Sequence, residues 1–137
     1  MIKNKITPFL TFNGTAEEAM KFYETNLPNT KITQLTRFQT EDSTVAKSDA
    51  NKVFHGVITV SGSEIKFLDM TAQHQAPEFS WSNSIFINCE TEKEFDTIFT
   101  ALATNGSVMM GPESVGKIRK CAWIVDQFGV TWQPVWE

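Results

Sequence analysis

Positive charge is in short supply in this chain, with twelve Lys and Arg against sixteen Asp and Glu and a net charge of −4. The basic stripe that gathers phosphates in nucleic-acid binders is therefore missing, and no nucleic-acid partner is expected. Cysteine is limited to Cys89 and Cys121, which form neither a C-x-x-C pair nor a metal-ligand spacing. Two reduced, buried thiols in a cytoplasmic protein are the expectation. No apolar run approaches the roughly 20 residues of a membrane span. The opening MIKNKITPFLTF has no apolar segment followed by a small-residue cleavage site, so neither a signal peptide nor a membrane partner is expected. The seven glycines are dispersed and none forms G-x-G. That removes the Gly-rich turn on which a doubly wound nucleotide fold depends. Histidine amounts to His55 and His74, with no H-E-x-x-H and no short pair.

What is present is an ordinary globular composition over 137 residues, 41 % apolar and 20 % charged. A chain of this length forms one domain and buries enough surface to need no staples. It also repeats itself once. Thr15 to Glu18 (TAEE) and Thr91 to Glu94 (TEKE) are both T-x-x-E, the capping box in which the Thr hydroxyl accepts the N3 amide and the Glu reaches back. A helical stripe follows each box: Ala16, Ala19, Met20, Tyr23 and Leu27 in the first, Phe95, Ile98, Phe99 and Leu102 in the second. Pro28 stops the first helix, and Asn105-Gly106 ends the second with a left-handed cap.

Each box also follows a short apolar run, Ile6 to Phe12 and Ser84 to Cys89. Three strand-like runs follow each helix: KITQLTRF, VFHGVITV and EIKFLDM, then SVMM, KIRKCAWIV and VTWQPVW. Ser61 to Ser63 and Asp126 to Gly129 are the corresponding turns. The polar stretch Thr40 to Lys52 is expected as a mobile loop, and Gly111 to Lys117 as a hairpin loop. The pattern is thus α+β: tandem β-α-β-β-β modules within one domain of residues 1–137, module one about 1–72, a linker over 73–79 and module two about 80–137. Neither module closes a core alone, so the two sheets are expected to pair, with helices outside and a cavity between the inner faces.

These modules, with PFLTFNGTAEEAMKFYETNLPNTKI near the start and CAWIVDQFGVTWQPV near the end, resemble the PhnB-like family of the vicinal-oxygen-chelate superfamily, which includes glyoxalase I, extradiol dioxygenases and bleomycin-resistance proteins. Its members often carry the label 3-demethylubiquinone-9 3-methyltransferase. The resemblance covers Ile6 to Val135. It implies a curved-sheet fold around a cavity and a homodimer. In metal-using relatives it also implies His, Glu or Gln ligands on the first and last strands of each half. The matching positions here are Thr7 or Pro8, Asn83 or Ser84, Asp69 at an offset of two or three residues, and Gln133. At most one carboxylate and one amide remain of a site needing three or four ligands, so no metal and no cofactor are expected. The methyltransferase label conflicts with the absence of a nucleotide-binding turn and with a chain too short for that fold.

Strand alternation puts Thr131, Gln133 and Val135 on one face, with Val130, Trp132, Pro134 and Trp136 on the other. If Gln133 looks into the cavity, Trp132 packs on a helix. The candidate ligand-binding walls are Phe9 or Leu10, Phe67 or Asp69, Trp123 and Gln133. Asp69 and His74 are weak catalytic candidates, as a base and its orienting partner. Two functions follow. One is metal-free binding of a small, partly apolar molecule, suited to a chain with eleven Phe and four Trp. The other is an enzyme, either a lyase or isomerase using Asp69 or His74, or a metal-dependent oxygenase with unusual ligands.

Overall fold

A computed structural model describes residues 5–38 and 46–137. The chain divides into two compact units, Met1–Pro77 and Glu78–Glu137.

The first unit runs β1 (Phe9–Phe12), α1 (Ala16–Asn26), β2 (Thr30–Arg37), a 3-10 turn (Lys47–Asp49), β3 (Val53–Val60) and β4 (Ser63–Asp69). Its sheet order is β1-β4-β3-β2, with β1 and β4 parallel and the remaining neighbours antiparallel. Spacings of three and four residues gather Ala16, Ala19, Met20 and Tyr23 on the buried side of α1, while Glu17 and Glu18 occupy its first turn. Burying Met20 completely stabilises the unit by about 2 kcal/mol. The helix can sit this close because β3 presents Gly56, where an added Cβ would stand 2.6 Å from the Met20 sulfur. Tyr23 and Phe12 both pack on Phe67, at ring separations of 6.1 and 5.7 Å. Ser61 and Gly62 have φ of 50° and 90°, the two positive values required by a tight hairpin turn between Val60 and Ser63.

The second unit repeats the plan: β5 (Ile85–Cys89), α2 (Glu92–Ala103), β6 (Ser107–Val115), β7 (Ile118–Val125) and β8 (Thr131–Trp136), in sheet order β5-β8-β7-β6. Phe95, Ile98 and Leu102 form the buried stripe of α2, which packs on β7 and β8. Lys120 of β7 reaches across to Glu92 and Asp96 at 2.8 and 2.9 Å. Asn105 takes the left-handed conformation expected just past the helix, at φ 58°.

Three expectations need correction. The Thr15 hydroxyl makes no capping bond. This end of α1 is tied down by Asp69 instead, whose Oδ1 accepts from Gly14 N, ahead of the cap, at 2.8 Å and from Ala16 N, the first helical amide, at 3.0 Å. A buried carboxylate is the stronger acceptor, and it also favours the positive end of the helix. Thr91 does cap α2, accepting from Glu94 N at 3.1 Å. Gly111 to Lys117 is not a loop. Most of it is bulged edge strand in β6, and only Gly116-Lys117 turns. Gly111 is required there, because a Cβ would meet the Cys121 carbonyl oxygen at 2.3 Å. Of the loop expected over Thr40 to Lys52, residues 40–45 lie outside the described residues. The rest is ordered: the buried Asp49 accepts from Lys52 Nζ at 2.6 Å and from Ala72 N at 3.1 Å.

Candidate functional site

Each sheet has one face against its own helix and a far face turned away from it. In the first unit, the pairings Leu10 with Phe67, Phe12 with Asp69, and Gly56 with Phe67 put these residues on the helix face. Phe9, opposite Lys66, lies on the far face and is half exposed. In the second unit, Lys120 marks the helix face of β7 through its ion pairs to α2. Lys120 lies opposite Trp136 and Ile124 opposite Trp132, so Trp132 shares that face. Trp132 is wholly buried, as its expected packing on a helix requires. The same register, with Cys121 opposite Val135, carries Trp123 and Gln133 together onto the far face.

The candidate residues therefore separate. Phe67 and Asp69 belong to the packed core of the first unit, and Leu10 lies half-buried at its edge on the same face. Asp69 is 1 % exposed, and beyond its bonds to Gly14 and Ala16 its Oδ2 accepts from Val53 N at 2.9 Å. Three amides thus hold a carboxylate that ties β4 to the start of α1 and the start of β3. His74 lies exposed in a turn, its amide donating to Thr71 O. Among the described residues no bond joins His74 to Asp69. His55 sits half-buried on the far face of β3, opposite Thr36.

Trp123 and Gln133 are brought together, and with them residues that sequence reasoning passed over. Phe86 pairs with Gln133, and Met110 with Trp123. A row Phe86, Gln133, Trp123, Met110 consequently crosses all four strands of the far face. Gln133 Nε2 donates to the Ser84 hydroxyl, which anchors the amide at the row's centre. The Trp81 ring meets the Trp123 ring edge to face at 5.9 Å. Beside the row, Cys121 donates to the Glu113 carbonyl, and its thiol pKa is raised, first by burial and then by the Glu113 charge. Strand alternation alone could have placed Phe86 here. Met110 could not be read from sequence, because the register of β6 slips at three bulges.

The donor set does not fit a divalent ion. Asp69 faces its helix and is occupied by three amides, Gln133 and Ser84 are neutral and bonded to each other, and Thr7 and Pro8 supply no charge. Among the described residues, no three His, Cys, Asp or Glu side chains gather as a metal site. Nor is any described helix long and apolar enough to cross a membrane.

Two four-stranded mixed sheets, each backed by one helix, constitute the glyoxalase/bleomycin-resistance fold. A glyoxalase/bleomycin resistance protein from Albidiferax ferrireducens superposes with a TM-score of 0.62 at 11 % identity, over 98 % of this chain and 99 % of that one. The fosfomycin resistance protein FosX from Listeria monocytogenes, complexed with Mn(II) and sulfate, gives 0.63 at 12 %, over 100 % and 94 %. Within that fold, the chain belongs to the family described as 3-demethylubiquinone-9 3-methyltransferase, whose profile matches residues 4–135. The PhnB protein of Bacillus cereus, which carries the same description, is 34 % identical over 98 % of this chain and 100 % of its own, with a TM-score of 0.83. Among curated protein sequences, none matches.

Proposed function

We propose that the protein binds a small, partly apolar molecule without a metal, on the far face of its second sheet. The observation that carries this is the row Phe86, Gln133, Trp123 and Met110. Apolar side chains flank a single oriented amide, the composition of a small-molecule site rather than of a hydrophilic sheet surface. Phe86 is 54 % exposed, and Trp81, against Trp123, is 57 % exposed, so the row is within reach of a ligand. Methyl transfer draws no support from this site, and neither does metal chemistry, since the donor set would hold a divalent ion poorly. The same reading takes the protein as a cytoplasmic homodimer. Val108, Met109 and Val115 on edge strand β6 are exposed apolar surface that a second copy would cover.

Tryptophan fluorescence titration against small aromatic and lipid-like compounds tests the binding reading. At least one compound is expected to bind, with affinity reduced by Gln133→Ala. Affinities untouched by Gln133→Ala would remove the row from the site. A single-chain mass by light scattering at micromolar concentration would remove the dimer.

A further inference from the structure

Two buried polar atoms in the second unit have no hydrogen-bond partner: Trp123 Nε1 and Thr131 Oγ1. Native folds leave few such groups, because each forfeits its bonds to water and gains nothing in return. Both belong to the far face. Thr131 lies opposite Val125, two residues from Gln133 on the same side of β8. Trp123 and Thr131 are diagonal neighbours, about 7 Å apart at Cβ, a span that an indole ring covers. Continuing the β5–β8 register from Ile85 opposite Trp132 puts Ser84 abreast of Thr131. Thr131 is 2 % exposed and both atoms are closed to water, so an acceptor reaches them when the exposed Trp81 ring that rests on Trp123 moves aside.

Resting on the binding reading above, we propose that Trp123 Nε1–H and the Thr131 hydroxyl together hold a neutral acceptor oxygen, a carbonyl or ether, on the bound molecule. The indole nitrogen only donates, which fixes the ligand atom as an acceptor. Ser84 accepts from Gln133 and so keeps its own proton for donation. The patch is therefore rich in donors. Ser84, Phe86, Met110, Trp123, Thr131 and Gln133 include no Lys or Arg, which sets a ketone or ether apart from a carboxylate or phosphate. The apolar body of the same molecule then lies along Phe86 and Met110. The two orphaned groups are matched only when ligand is present, so their unmet bonding becomes selectivity for ligands that carry the oxygen.

Two probes that differ by a single carbonyl oxygen separate this proposal from the reading beneath it: 2-acetylnaphthalene, which carries it, and 2-ethylnaphthalene, which does not. Titrations of 15N-labelled protein follow the indole N–H resonances, with Trp123→Phe assigning that of Trp123. The acetyl compound is expected to bind about tenfold more tightly than the ethyl compound, and it alone moves the Trp123 indole proton downfield. Thr131→Val, which preserves shape, is expected to weaken the acetyl compound several-fold and leave the ethyl compound unchanged. Equal affinities, with signals of Phe86, Met110 and Gln133 moving while the Trp123 indole proton stays in place, would overturn the acceptor site and leave the binding reading standing. Neither probe perturbing any of these residues would overturn both.

Discussion

The indole N–H of Trp132 donates to Asp126 Oδ2 at 2.9 Å, both residues being buried. The other carboxylate oxygen accepts from Phe128 N and Val130 N at 2.9 and 3.0 Å, so one side chain shapes the turn into β8 and orients the largest ring of that core. Asp126→Ala leaves three donors unmet, two of them buried, and is expected to cost about 3 kcal/mol. Asp126→Asn keeps one oxygen but sets an amide N–H2 against a donor, so it should fall between the two. Urea unfolding of the three proteins checks the order.

Asp69 gives a test that separates scaffold from chemistry. Asp69→Asn retains one acceptor oxygen and turns donor against donor at either Val53 N or the Gly14/Ala16 pair. Stability is expected to fall by about 2 kcal/mol. Affinity of the folded protein for any ligand found by fluorescence should stay the same. A selective loss of binding at undiminished stability would restore Asp69 as a site residue.

Thr131→Val should stabilise the protein. Removing a buried hydroxyl that has no partner relieves its desolvation penalty, about 1 kcal/mol, or roughly 3 °C in Tm for a domain of this size. Calorimetry of ligand-free protein reads this directly. A lower Tm would mean that the hydroxyl is bonded in solution.

Cys89 supplies a pH dependence. Burial, and secondarily the nearby Glu94 carboxylate, push its thiol pKa up to about 11. An unfolded thiol titrates near 8.5. Between those values the folded state holds the proton that the unfolded state has released, so stability declines as pH rises through this window. Cys89→Ala should show a shallower decline over the same range. Alkylation of Cys89 by iodoacetamide at pH 8 should be slow, and faster in denaturant.

Much of this architecture could be read from local chemistry. The stripes of α1 and α2, the Ser61-Gly62 turn and the two faces of β8 each depend on residues within a few positions of one another. What stayed hidden depends on distant partners. TAEE satisfies the capping pattern as well as TEKE does, yet Thr15 makes no cap bond, and the side chain that serves this end of the helix is Asp69, more than fifty positions along the chain, through Gly14 N and Ala16 N. Gly111-Pro112 suggests a turn by composition, but Pro tolerates an edge strand with bulges, where its missing N–H costs no ladder bond. In the candidate site, Gln133 and Trp123 were legible through alternation and resemblance. Thr131 shared the strand face with Gln133 and was passed over, because an ordinary strand Thr differs from an orphaned one only in its surroundings.

In both sheets the last strand made is an inner one: β4 lies between β1 and β3, and β8 between β5 and β7. The hairpins β3–β4 and β7–β8 can form early from adjacent sequence. The parallel pairings Phe9 with Lys66 and Ile85 with Trp132 must instead close long loops, which slows folding. During synthesis, α1 waits for Asp69 to emerge before its first amides are satisfied. Every strand of the first sheet has been translated before β8 is, so the pairings of the two sheets become available to the growing chain one sheet after the other.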